Sequence, residues 1–110
     1  MAVSDRGDLV WLSFTPHAGH EQAGRRPALV LSPHTYHQKT PFAIVCPITS
    51  RIKGYPFEIV LPAGLPIAGA VLADQVKSID RHARNIQVIG RAPNEVLADV
   101  VMKLRLLLAM

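Results

Sequence analysis

The chain has a single cysteine, Cys46, so an internal disulfide is excluded and the fold must rest on a core. A lone thiol suits a reducing compartment, and the expected location is the cytoplasm. Charged residues are scarce, at 18%, and aromatics scarcer still, at 5%. Set against 49% hydrophobic residues, that low charge excludes a disordered or purely solvating chain. Long apolar runs are missing too. The longest uncharged stretch, Ile59 to Ala73, carries Pro62 and Pro66 and is shorter than the ~18 residues a spanning helix needs. The opening Met-Ala-Val-Ser-Asp-Arg-Gly-Asp has no apolar signal-peptide core, so no membrane association is expected. Neither a Gly/Ser linker nor a repeat divides the 110 residues, which are expected to form one domain.

What is present reads as strands, then a helix. Leu9 to Phe14 is rich in β-favouring residues and follows the turn signal Gly7-Asp8. Thr15 to Arg25, with Pro16, Gly19 and Gly24, reads as a long exposed loop. Ala28 to Leu31 predicts a short buried strand, and Phe42 to Ile48 a central one, apolar on both faces. Pro47 cannot donate to a ladder, so that strand is expected to bend or leave the sheet there. Further strands are expected over Phe57 to Leu61, Gly69 to Ala73, Val76 to Ile79 and Ile86 to Ile89. After Pro93, apolar Val96, Leu97, Val100, Val101, Leu104, Leu107 and Leu108 recur at helical spacing. Strands first and one helix last give an α+β domain, mainly β, built as a strongly bent sheet or small barrel with a C-terminal helix.

Chemistry must then come from the polar loops. Twelve Lys and Arg against eight Asp and Glu leave a formal charge of +4, which favours a polyanionic partner. The loop from His17 to Pro27 holds His20, Glu21, Arg25 and Arg26, on the edge of a strand. His17, His20 and Glu21 lack the four ligands of a structural zinc site, so no metal or other cofactor is expected. A solvated loop is the simpler reading of both histidines. Thr49 to Tyr55 sets hydroxyls beside Arg51 and Lys53, a surface for phosphates and bases or, more simply, a solvated hairpin turn. Lys77 to Arg84 carries four cations, read equally well as a track for a phosphate backbone or as a protected sheet edge. Asp74-Gln75 is either a buried polar pair or a base-reading pair, and Trp11 reads as core.

Four ordered blocks carry a resemblance. Gly7-Asp8-Leu9-Val10-Trp11, the run from Glu21 to Ser32, Lys53-Gly54-Tyr55-Pro56-Phe57-Glu58 and Leu72-Ala73-Asp74-Gln75-Val76-Lys77-Ser78 together resemble the MazF/PemK family, the toxin halves of bacterial toxin–antitoxin systems. The resemblance implies an SH3-like barrel, a homodimer, and metal-independent, sequence-selective cleavage of single-stranded RNA. It also implies a cognate antitoxin whose disordered tail occupies the RNA groove. The family's cleavage-linked arginine and threonine fall on Arg26 and Thr49, its acidic loop residue on Glu21 and its loop lysine on Lys53. The chain departs from the family pattern before Glu21, at His17 and His20, and between Leu61 and Ala70, where two prolines extend a connection.

The expected reaction is attack of the RNA 2′-hydroxyl on the adjacent phosphorus, leaving a 2′,3′-cyclic phosphate and a 5′-hydroxyl. Arg26 is assigned to charge on the phosphorane, because its planar fork holds two phosphate oxygens and stays protonated. Thr49 is expected to donate to a non-bridging oxygen, with Glu21 and His20 as alternative bases. Arg25, Lys53, Tyr55, Gln75 and Lys77 are the expected RNA contacts. Two competing readings share the fold: a gyrase-poisoning toxin of the CcdB type that acts by protein binding, and a barrel that binds single strands without cutting them.

Overall fold

The computed structural model of the chain describes residues 4–13 and 24–110. Within them run β1 (Asp8–Ser13), β2 (Arg25–Val30), β3 (Phe42–Thr49), β4 (Glu58–Val60), β5 (Ala70–Leu72), β6 (Lys77–Asp80) and β7 (Gln87–Arg91). Helices α1 (His34–Lys39), α2 (Arg81–Arg84) and α3 (Asn94–Leu108) and a 3₁₀ turn, Ala73–Gln75, complete the described residues. The pairings are antiparallel, and the sheet runs β4-β5-β3-β2-β1-β7 with β6 also on β3.

β3 is the hinge of this arrangement. Its first half, Phe42 to Val45, pairs with β6, and its last two residues, Ile48 and Thr49, pair with β5. The change of partner falls at Cys46-Pro47, where the missing proline N–H was expected to interrupt the ladder. The seven expected strands and the final helix are all found, with ends within three residues of those expected. Arg25, assigned to the loop by sequence, is instead the first residue of β2, pairing with Ser13.

Consecutive residues are buried at Leu9 and Val10 of β1, at Ala28, Leu29 and Val30 of β2 and at Val45 and Cys46 of β3, which is why these stretches are continuous apolar runs rather than alternating ones. Leu9, Leu29, Cys46 and Ile48 join Val71, Val96 and Val100 in one cluster beneath α3. Val10, Leu12, Ala28, Val30 and Val45 join Ala43 and Ile79 in a second. The expectation that β3 is apolar and covered throughout holds only for its later half. Phe42 and Ile44 are 43% and 36% exposed, because α3 crosses the far end of the sheet, against β4 and the 3₁₀ turn. The apolar stripe of α3 likewise outruns its cover: Leu107 and Leu108 are exposed.

Helix α1 carries no apolar stripe, and its one buried residue is His37. Distant residues hold it. The His37 ring bridges the backbone carbonyl of Ser4 and the hydroxyl of Ser32, each at 2.6 Å. Arg81 donates to the carbonyls of His37 and Thr40, each at 2.6 Å, at the helix's C-terminal end. At the other end the Asp5 carboxylate accepts the His34 N–H at 2.8 Å and that of Arg6 at 2.8 Å.

Those two amide bonds, the His34 bond first, hold the Asp5 carboxyl below the usual carboxylate range. Their stabilisation is complete above the unfolded-state pKa near ~3.9 and is lost as pH falls through the lower folded value. Asp5→Ala is expected to cost about 1 kcal/mol at pH 7, the usual worth of a helix cap. Denaturant titrations across pH should also show the variant losing less stability than the parent between about pH 5 and pH 2. Identical acid limbs would contradict this role for Asp5.

The sole cysteine is sealed in the core. Burial, with the Asp74 charge adding to it, pushes the Cys46 thiol up to about 12. As a thiol at neutral pH it packs as a small apolar residue. Among the described residues, no helix is long and apolar enough to cross a membrane.

Candidate active site

The β2–β3 ladder sets Val30 against Val45, Leu29 against Cys46 and Ala28 against Pro47. There the pairing ends. Carried two residues further, the same register places Arg26 across from Thr49, on the face that Ala28 and Pro47 share. On the opposite edge of β3, Thr49 pairs with Ala70 of β5. The two strands part, and a groove of about 820 Å³ opens with Arg26 on one lip and Thr49 on the other.

The floor of this groove is sheet: Leu12, Ala28, Val45, Pro47 and Ile48. Its rim is polar and basic, with Arg51, Gln75 and Lys77 beside Arg26 and Thr49. Lys77 arrives there because it pairs with Val45 in the β3–β6 ladder. The far wall is the β4–β5 connection at Pro66, Ile67 and Ala68. Pro66 seats on β7 at Gly90, where an added Cβ would stand 2.8 Å from the proline ring. Gly69 lies closer still to the chemistry: its φ is +132°, and a Cβ there would stand 2.1 Å from the carbonyl oxygen of Thr49.

The hydroxyl oxygen of Thr49 accepts the N–H of Arg51 at 3.0 Å. Accepting that bond leaves its own proton to donate, so the hydroxyl is oriented and able to hydrogen-bond an anion in the groove. Arg26 is exposed on the opposite lip. A guanidinium and a hydroxyl donor on one face, over an apolar floor, form a site that can hold a phosphate and the bases flanking it.

Of the residues singled out by sequence, the groove gathers Arg26, Thr49, Gln75 and Lys77. Lys53 and Tyr55 lie outside its lining, on the exposed β3–β4 connection, with the Lys53 Nζ 5.9 Å from the Tyr55 ring centre. Arg25 lies outside it as well. One residue from Arg26, it bonds to the side-chain oxygen of Gln87 and sits 5.9 Å from the Trp11 ring centre. His17, His20 and Glu21 fall outside the described residues. Among the described ones, no three His, Cys, Asp or Glu side chains cluster as metal ligands would.

Two alternatives left open by the sequence are narrowed by the structure. Lys77 to Arg84 is not one cationic track: Lys77 faces the groove, whereas Arg81 is turned onto α1. Asp74 and Gln75 do not act as a buried pair, since both are exposed and only Gln75 lines the groove. Sequence reasoning also missed Trp11 as a groove residue. It is half-buried and lines the groove, but nothing in an apolar strand distinguishes it from core.

Comparison with known proteins agrees with this architecture. A family model described as PemK-like, MazF-like toxin of type II toxin–antitoxin system matches residues 5–108. The endoribonuclease toxin MazF of Escherichia coli K12 is 47% identical over 106 residues, covering 96% of this chain and 95% of its own length. The endoribonuclease toxin ChpB of the same organism is 38% identical, over 92% of this chain and 90% of its own. A crystal structure of MazE–MazF from Deinococcus radiodurans superimposes with a TM-score of 0.93 at 53% identity, covering 99% of both chains. The bent sheet is thus the small open barrel of those structures, as the resemblance implied. With a family model spanning nearly its whole length and relatives this similar, the chain belongs to the PemK-like, MazF-like toxins of type II toxin–antitoxin systems.

Proposed function

We propose that this endoribonuclease toxin cuts single-stranded RNA in the groove between Arg26 and Thr49, without a metal ion. The observation that carries the reading is the shared register that sets those two side chains across one opening in the sheet. The 2′-oxygen bonds to the neighbouring phosphorus as its proton passes to a base, either Glu21 or His20. The bond from phosphorus to the 5′-oxygen then breaks, and that oxygen takes a proton from solvent water to leave as the 5′-hydroxyl. What remains is a 2′,3′-cyclic phosphate. Arg26 neutralises charge on the equatorial oxygens as it builds, and the Thr49 hydroxyl donates to one of them. Gln75 and Lys77 contact the strand on the β6 side, with Arg25, Lys53 and Tyr55 further out.

The partners follow from the same surfaces. A cognate antitoxin fits the reading, its disordered tail lying in the basic groove and competing with RNA; a solved complex of a relative with MazE supports the antitoxin as partner. A second copy of the chain fits the apolar surface of α3. There Leu97, Val101, Met102, Leu106 and Met110 line a further groove of about 670 Å³, with Arg6 and Arg105 at its edge.

The test is a digest of single-stranded RNA by purified protein with chelator present, with light scattering on the same sample. Cleavage to cyclic-phosphate and 5′-hydroxyl ends, resistance of the same strand in a duplex, and a dimeric mass are expected. Intact RNA that is merely shifted on a gel, or equal cutting of single and double strands, would overturn the proposal.

A further inference from the structure

The β3–β4 connection has little to hold it in place. Every residue from 50 to 56 is exposed, so no apolar anchor fixes its path. Polar bonds at its two ends do so instead. At the start, Thr49 accepts the N–H of Arg51. At the end, one carboxylate gathers two successive amides: Glu58 Oε1 accepts from Gly54 at 2.8 Å and from Lys53 at 3.1 Å, and Oε2 accepts from Lys53 at 3.3 Å.

Consecutive N–H groups converging on one anion need a left-handed residue to turn them the same way. Gly54 supplies it, with φ +79° and open space around it. The N–H of Glu58 then donates to the carbonyl of Tyr55 at 3.1 Å, closing the turn. Glu58 is itself fixed in the sheet, opposite Leu72. Its acceptors therefore transmit the position of β4 to the backbone that carries Lys53 and Tyr55.

A carboxylate beside RNA-facing cations opposes the field that attracts a polyanion. Its backbone bonds give it a compensating use. We propose that Glu58 is a positioning residue for substrate selection: it sets Lys53 and Tyr55 to meet the RNA bases and takes no part in bond breaking. This rests on the RNA-cleaving reading above.

Steady-state cleavage of a single-stranded oligonucleotide, with cut ends sequenced, tests it in the full-length chain. Glu58→Ala is expected to raise KM about tenfold, leave kcat within about twofold, and spread cuts over more sequences. Glu58→Gln keeps one acceptor oxygen and should fall between the two. Gly54→Ala disturbs the same nest from the backbone side and should shift KM and cut pattern in the same direction. Wild-type KM and cut pattern in Glu58→Ala overturn the proposal. So does a fall in kcat at unchanged KM and pattern, the mark of lost folded enzyme. If Glu58→Ala does not fold, the other two variants decide by the same criteria. A parent protein that cuts no RNA overturns the proposed function, and this inference with it, and is seen before any variant is made.

Discussion

Arg26→Ala lowers kcat on single-stranded RNA by about 10²–10³-fold, the usual loss when a donor aimed at developing charge is removed. The expectation follows from where the side chain stands. It leaves the strand at the point where β2 and β3 separate, on the lip opposite Thr49. The strand's own burial lies elsewhere, at Ala28, Leu29 and Val30, so the truncated protein should still fold. Single-turnover cleavage beside a thermal melt separates loss of rate from loss of folding. Lysine at 26 keeps the charge but loses the two-pronged geometry, and should recover only part of the rate. Wild-type cleavage by a folded Arg26→Ala protein would remove this arginine from the reaction.

Gly69→Ala is the most damaging small change the structure identifies. A methyl group at that position would lie 2.1 Å from the Thr49 carbonyl oxygen, on a backbone with φ +132°. Neither problem has a local remedy. The clash is with main chain, which no rotamer change relieves, and the backbone conformation is one that residues with a Cβ rarely adopt. Overpacking and strain together should cost about 3 kcal/mol, lowering the melting temperature by roughly 12–20 °C. What relaxation occurs must move Thr49, because β5 begins beside it, so the folded fraction should also cut RNA more slowly. A melting temperature within a few degrees of the parent would show that the β4–β5 turn does not bear on β3 as described.

The outline of this fold was legible because its strands are short apolar runs between Pro and Gly, and its final helix repeats apolar residues every three to four positions. Pro47 marked the change of partner in β3 by chemistry alone. Helix α1 was illegible for an equally physical reason. Six residues with one buried side chain make no periodic pattern, and its stabilising partners, Asp5, Ser4, Ser32 and Arg81, are mostly far away in sequence. The site divides in the same way. Arg26, Thr49, Gln75 and Lys77 were found because family motifs hold them in order. That Arg26 and Thr49 face each other depends on a strand register no local pattern shows. Trp11 in the groove and Gly69 behind Thr49 depend on approach between elements, which periodicity does not encode.

The turning of Arg81 onto α1 changes what the molecule's positive charge can do. Arg91 is similarly engaged, 2.9 Å from Asp8. Neither guanidinium lines the groove. Under the proposed function the groove offers Arg26, Arg51 and Lys77 to the phosphates, with Arg25 and Lys53 further out. Each phosphate neutralised on a single strand contributes about 0.7 to the slope of log affinity against log salt, so three to five such contacts set a slope of about −2 to −3.5 per chain. Affinity should therefore fall only gently as ionic strength rises, much less than the full complement of lysines and arginines suggests. Discrimination between sequences then belongs mainly to the bases and the surfaces they touch.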